Sequence, residues 1–124
     1  MDDSHQAEAK AKWGQTEAFK IAAERTKKYT LEDWERIKRE AKGLYQAFQH
    51  CKSESLNSQK VECCVNDWQR HLHETYYPCD DEMLLNLADL YEQDLRYANN
   101  IDKAGGEGTA SRMIEAIRYW KRRS

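Results

Sequence analysis

Apolar side chains recur along this chain at intervals of three and four residues, and no apolar/polar alternation competes with them. That periodicity commits the backbone to helix almost throughout. The clearest stretch opens with Thr30-Leu31-Glu32-Asp33, which has the form of a capping box, and continues as a stripe of Leu31, Trp34, Ile37, Ala41, Leu44 and Phe48. A polar loop over residues 52–58 separates it from a second stripe, Val61, Cys64, Val65, Trp68 and Leu72. This helix must stop near Thr75, because Pro78 has no amide proton and its ring clashes with the preceding turn.

The remaining punctuation comes from caps. Asp80 and Asp81 are N-cap candidates for a helix carrying Met83, Leu84, Leu87, Leu90 and Tyr91, and Asp94 starts a shorter one with Tyr97 and Ile101. Gly105-Gly106 closes it, and a last helix after Gly108-Thr109 places Ala110, Met113, Ile114, Ile117 and Trp120 on one side. Near the N-terminus a helix spans about Asp3 to Trp13. Gly14-Gln15-Thr16 either restarts it or bends it into the stretch with Phe19, Ala22 and Ala23. About six short helices with no sustained heptad predict an all-α globule crossed at steep angles, not a coiled coil.

With 124 residues, 40% hydrophobic and 34% charged, the chain is too apolar for disorder and has the size of one domain. Runs such as Met83-Leu84-Leu85 fall far short of the about 20 residues that cross a bilayer, and the N-terminus lacks a secretory apolar segment. A cytoplasmic location away from membranes is expected. Net charge is −2 with signs interspersed, unlike the basic face of a nucleic-acid-binding module. The cluster Arg118, Lys121, Arg122 and Arg123 suits a helix C-terminus.

Chemistry-bearing patterns are sparse. The four cysteines, Cys51, Cys63, Cys64 and Cys79, fit neither a disulfide scaffold nor paired zinc knuckles, so reduced thiols are expected. Gly105-Gly106-Glu107-Gly108 lacks the lysine and the preceding strand of a phosphate loop. His71 and His73, two apart on a helix, read as exposed surface histidines, and a three-ligand site from Cys64, His71 and Cys79 is the weaker alternative. No nucleophile is paired with a base, so neither catalysis nor a resident metal or cofactor is expected.

Aromatic density around the Pro78 turn is unusual: Trp68, Tyr76, Tyr77, Tyr91 and Tyr97, with Cys79 and Met83 among them. Rings with polar tips and an adaptable methionine suit a pocket that grips large apolar ligands. Spacing alone favours the plainer reading, in which they are core side chains. Cys79 precedes a helix N-terminus that would lower its thiol pKa, whereas Asp80 and Asp81 act oppositely, and an inert role is favoured.

At these residues the chain resembles a known family. Trp13-Gly14-Gln15-Thr16-Glu17-Ala18-Phe19 is similar to a WGxTxAY-like opening, Tyr29-Thr30 through Asp33-Trp34 to a YT..DW segment, and Trp68 through Tyr77-Pro78-Cys79 to a W..HI..YYPC segment. Glu82-Met83, Tyr91, Asp94, Arg96-Tyr97, Ile101-Asp102, Gly108-Thr109-Ala110 and Ala116-Ile117 continue the match in order. The family is the TipAS antibiotic-recognition domain, the C-terminal effector domain of multidrug-sensing MerR-type transcription activators, and the resemblance runs from about Trp13 to Trp120.

The resemblance implies a globin-like helical fold over residues 1–124, with residues 1–12 partly flexible, and a cleft that closes on thiopeptide-like or other bulky hydrophobic antibiotics. It implies that Trp68, Tyr76, Tyr77, Met83, Tyr91 and Tyr97 line or brace the cleft, that Trp13 and Trp34 close one side, and that Cys79 lies nearby. It implies DNA contact only through a separate N-terminal domain, and a homodimeric full regulator. The family's antibiotic-binding prototype captures its ligand covalently through a cysteine seven residues after the position matched by Cys79. Here that position is Asn86, so noncovalent binding is expected. Trp68 also replaces a histidine of the prototype. A stand-alone drug-sequestering protein and a helical protein-interaction module are the rival readings.

Overall fold

The computed structural model of the chain describes residues 17–122. Within them the backbone forms helices α1 (residues 17–26), α2 (Leu31–His50), α3 (Gln59–Thr75), α4 (Asp81–Gln93), α5 (Leu95–Gly105) and α6 (Thr109–Lys121), with no strand among the described residues. The alternatives at Gly14-Gln15-Thr16, the helix from Asp3 to Trp13 and the expected flexibility of residues 1–12 all lie outside the described residues.

Most boundaries fall where local chemistry sets them. Thr30 and Asp33 exchange the two bonds of a capping box, Thr30 N–H to Asp33 Oδ2 at 2.9 Å and Asp33 N–H to Thr30 Oγ1 at 3.1 Å. Asp80 caps α4 by accepting from Met83 N–H at 2.8 Å, and α3 ends at Thr75, three residues before Pro78. Asp94 ends α4 and caps α5. The start of α6 is different. Gly108, with φ of 88°, offers no side-chain cap, and the carboxylate of Asp102 on α5 accepts from Ala110 N–H at 2.8 Å instead. Gly105, the last residue of α5, is required by space: a Cβ there would stand 2.8 Å from Tyr45 Cβ, so its absence lets α5 approach α2.

Helix α6 packs against α2, α3, α4 and α5 and is the centre of the globule. Its Met113, Ala116 and Ile117 are fully enclosed, together with Phe48, Val61, Val65, Leu84 and Ala88. Each of the larger side chains contributes about 1.5–3 kcal/mol by leaving water. Two expectations need correction. Leu31, placed on the apolar stripe, is 82% exposed, because the first turn of α2 is held by its capping box and burial begins later, at Trp34 and Ile37. His71, read as a surface histidine, is buried against Trp68, while His73 is exposed.

Candidate functional site: an aromatic cleft between five helices

Between α1, α2, α3, α4 and α5 the helices do not close, leaving a cleft of about 520 Å³. Helix α1 contributes Ala18, Phe19 and Ala22; α2 contributes Ala41 and Tyr45; α3 contributes Trp68, His71 and Leu72. Tyr76 and Tyr77 come from the turn before Pro78, and Met83, Asn86, Leu87, Leu90 and Tyr91 from α4. Asp94, Arg96, Tyr97 and Asn100, with the buried Ile101, complete the lining.

The cleft wall is built of ring contacts. Tyr45 and Trp68 lie with centroids 5.1 Å apart, Trp68 stacks on His71 at 5.5 Å, and Tyr91 meets Tyr97 at 6.0 Å. The spacing of α3 puts Trp68, His71 and Leu72 on one face, three and four residues apart. The turn that carries Tyr76 and Tyr77 is tied back to α3: Gln69 Nε2 donates to Cys79 O at 3.1 Å, and Cys79 N–H donates to His73 Nδ1 at 3.1 Å. The end of α1 is tied there too, since Arg25 Nη1 donates to His73 O at 2.6 Å and the Tyr29 hydroxyl donates to Thr75 O. These bonds use the orphan carbonyls at the C-terminus of α3.

The surroundings are electrostatically quiet. Burial, then Tyr77 and Tyr45, holds the Tyr91 hydroxyl well above its usual range; burial, then Tyr76, pushes Tyr45 up to about 12. Tyr77 is raised chiefly by burial as well. Tyr45, Tyr77 and Tyr91 are therefore neutral at physiological pH, each able to donate or accept a hydrogen bond. The Trp68 indole N–H is enclosed beside the Tyr91 hydroxyl without reaching hydrogen-bond geometry to it. Burial outweighs the opposing pull of Glu40 and Glu74 and lowers the His71 pKa, so this ring too is neutral.

Of the side chains singled out from sequence, Trp68, Tyr76, Tyr77, Met83, Tyr91 and Tyr97 come together around this one cavity. Trp34 does not line it; it packs behind Tyr76, with centroids 6.4 Å apart, and meets Tyr29 edge-on at 5.6 Å. Cys79 also stands outside the lining, buried, its thiol pushed up to about 12 by burial and then by Asp80. Trp13 lies outside the described residues. Asn86 does face the cleft, and no cysteine is among the lining residues. Among the described residues no cluster of three or more histidine, cysteine or carboxylate side chains is arranged to hold a metal ion, so Cys64, His71 and Cys79 form no such group. No helix there is long and apolar enough to cross a membrane.

Sequence reasoning missed Tyr45, His71 and the polar rim of Asp94, Arg96 and Asn100. Tyr45 had a signal, lying four residues after Ala41 and so on the same helical face; Asp94 and Arg96 stood among the family motifs with nothing to mark them as lining, and Asn100 is a polar position with no signal.

Residues 5–120 match the model of the TipAS antibiotic-recognition domain. The HTH-type transcriptional activator TipA of Streptomyces coelicolor is 33% identical over 117 residues, covering 93% of this chain and 46% of that protein. The HTH-type transcriptional activator mta of Bacillus subtilis is 26% identical over 93 residues, 75% of this chain and 36% of that one. The chain thus spans about half the length of TipA and less of mta. Among solved structures, TipAS in complex with nosiheptide, from a thiopeptide antibiotic multidrug resistance system of Streptomyces lividans, matches with a TM-score of 0.71 and 29% identity. That match covers 97% of this chain and 89% of the other. The motifs from Trp13 to Trp120, the all-helical fold with its aromatic cleft and the family match over residues 5–120 converge: this chain belongs to the family of TipAS antibiotic-recognition domains.

Proposed function

We propose that this chain is the ligand-sensing effector domain of a MerR-type transcription activator, and that it takes bulky hydrophobic or thiopeptide-like antibiotics into the aromatic cleft without covalent capture. The carrying observation is the composition of the cavity wall: neutral phenols, an indole, a neutral imidazole and a methionine surround a volume within the usual range for small-molecule sites, with Asn86 and no thiol facing it. Such a wall offers stacking area and a few orienting polar tips. It offers no nucleophile activated by a base, so the domain binds its ligand and does not transform it.

Trp68, Tyr76, Tyr77, Met83, Tyr91 and Tyr97 make the contacts in this reading, with Trp13 as a further ligand-binding residue; Trp34 braces Tyr76 from behind, and Cys79 fixes the turn without touching ligand. Residues 1–124 act as one domain. DNA is reached only through a separate N-terminal helix-turn-helix segment, in a cytoplasmic regulator that works as a homodimer. A ligand shifts that regulator only by its preference for the closed over the open arrangement of the helices.

Titration of the purified chain with nosiheptide and a panel of lipophilic aromatic drugs, followed by tryptophan fluorescence, tests this. Saturable quenching that is lost in Trp68→Phe, with a rise in Tm for the responding compound, is expected. Saturable binding unaffected by Trp68→Phe and Tyr91→Phe would move the site elsewhere, and absence of binding across the panel would overturn the proposed ligand class.

A further inference from the structure

A second group of reactive side chains lies away from the cleft. Cys51, the C-cap of α2, and Cys64 on α3 face each other with Sγ atoms 3.7 Å apart, and both are buried. They line a separate open concavity with His50, Glu54, Lys60 and the exposed Cys63. A disulfide needs its sulfurs at about 2.05 Å, so less than about 2 Å of travel, shared between two side chains, separates this pair from the bond.

We propose that Cys51 and Cys64 form a modification site, a dithiol that closes to an intrachain disulfide when a small hydroperoxide enters the adjoining concavity. In the first step the Cys51 sulfur, having released its proton, attacks the O–O bond of hydrogen peroxide. A sulfenic acid forms on Cys51, and the departing hydroxide takes up a proton as water. In the second step the Cys64 sulfur attacks Cys51 Sγ, the S–O bond breaks, an S–S bond forms, and the hydroxide leaves with the proton of Cys64 as a second water. Two thiols are oxidised by two electrons and one peroxide is reduced.

Geometry favours the bond but the setting slows it. Burial, then the neighbouring Cys51, pushes the Cys64 thiol up to about 12. Closure therefore takes minutes to hours, the slow end of disulfide formation, and accelerates as pH rises. The exposed Cys63 reacts sooner with any thiol reagent, yet its product is a separate one. The cross-link joins α2 to α3 along the seam that also carries Tyr45 and Trp68, so the oxidised domain holds one wall of the cleft fixed.

The test is peroxide titration of the intact chain, read by mass under non-reducing conditions and by peptide mapping. The expected product has lost two hydrogens and links the peptides of Cys51 and Cys64; it persists in Cys63→Ser, disappears in Cys51→Ser and in Cys64→Ser, forms faster at pH 9 than at pH 7, and melts several degrees higher than the reduced chain. Circular dichroism of each variant checks that loss of the product is not loss of the fold. Linkage through Cys63, oxygen adducts without the cross-link, or Cys51 and Cys64 still free after prolonged oxidation would each overturn the proposal.

Discussion

Helix α3 faces two different environments. Its first half sends Val61 and Val65 into a packed, largely aliphatic interior with Phe48 and the residues of α6, whereas its second half sends Trp68, His71 and Leu72 into an open cleft with tyrosines from four other segments. The same periodicity runs through both halves, and the residue types differ. Aliphatic side chains with few polar atoms can fill space to the density of a crystal, and they leave no cavity. Rings with hydroxyl or imine tips pack less completely, and each keeps a polar atom that a ligand can use. One helix thus divides the molecule into a part that holds the fold and a part that leaves room.

The sharpest test of that division removes bulk from the packed side. Phe48→Ala empties a fully enclosed site and should lower stability by about 3–5 kcal/mol, with a matching fall in denaturation midpoint. Ligand binding at low temperature, once corrected for the folded fraction, should be unchanged. A loss of affinity in the folded variant would mean that the two regions are mechanically one.

The opposite substitution is Tyr97→Ala. Tyr97 is 38% exposed and touches the cleft and Tyr91, so its removal should weaken ligand binding about tenfold, or about 1.4 kcal/mol, and leave stability within about 0.5 kcal/mol. Calorimetric titration and thermal denaturation of the same sample read both numbers. A large fall in Tm would make this ring part of the core. A smaller effect, about 1 kcal/mol of stability, is expected for Asp80→Ala, which removes the acceptor of Met83 N–H and loosens the start of α4; hydrogen exchange should rise first at residues 82–84.

How far the sequence could take this comparison depends on how local each signal is. Caps and stripes act within one turn, so Thr30, Asp33, Asp80 and Asp94 could be placed from the chain alone. The cap of α6 could not be, because its acceptor, Asp102, belongs to another helix and is set by how α5 folds back. Burial of His71 was half hidden: its spacing from Trp68 and Leu72 puts it on the apolar face of α3, but the approach of α1 and α2 to that face leaves no mark on spacing. The six aromatic and methionine positions at the cleft were legible as a set through their density and their family motifs. Density, however, has no sign, and it took the arrangement of five helices to separate lining from core and to put Trp34 and Cys79 behind the wall.

The smallest effect, and the most specific to the cleft side, should appear in the pH dependence of stability. Burial beside Trp68 lowers the His71 pKa below its ordinary 6.5, against the pull of Glu40, whose Oε2 lies 3.4 Å from Nδ1, and of Glu74. As pH falls through about 6.5 the unfolded chain takes up this proton before the folded one does, so the unfolded state gains. The contribution of His71 is therefore complete above that value, is lost as pH falls toward the folded pKa, and is flat below it. Asp33, Asp81, Glu92 and Asp94, all held low in the fold, lose their contributions as pH falls through about 4.5 and below, at the acid edge of this window. Denaturant unfolding of the wild type and of His71→Gln between pH 8 and pH 5 should show a downward slope toward acid that the variant lacks. A slope of the opposite sign would mean that Glu40 wins over burial, and that this wall of the cleft is wetter and more charged than the packed half of the same helix allows.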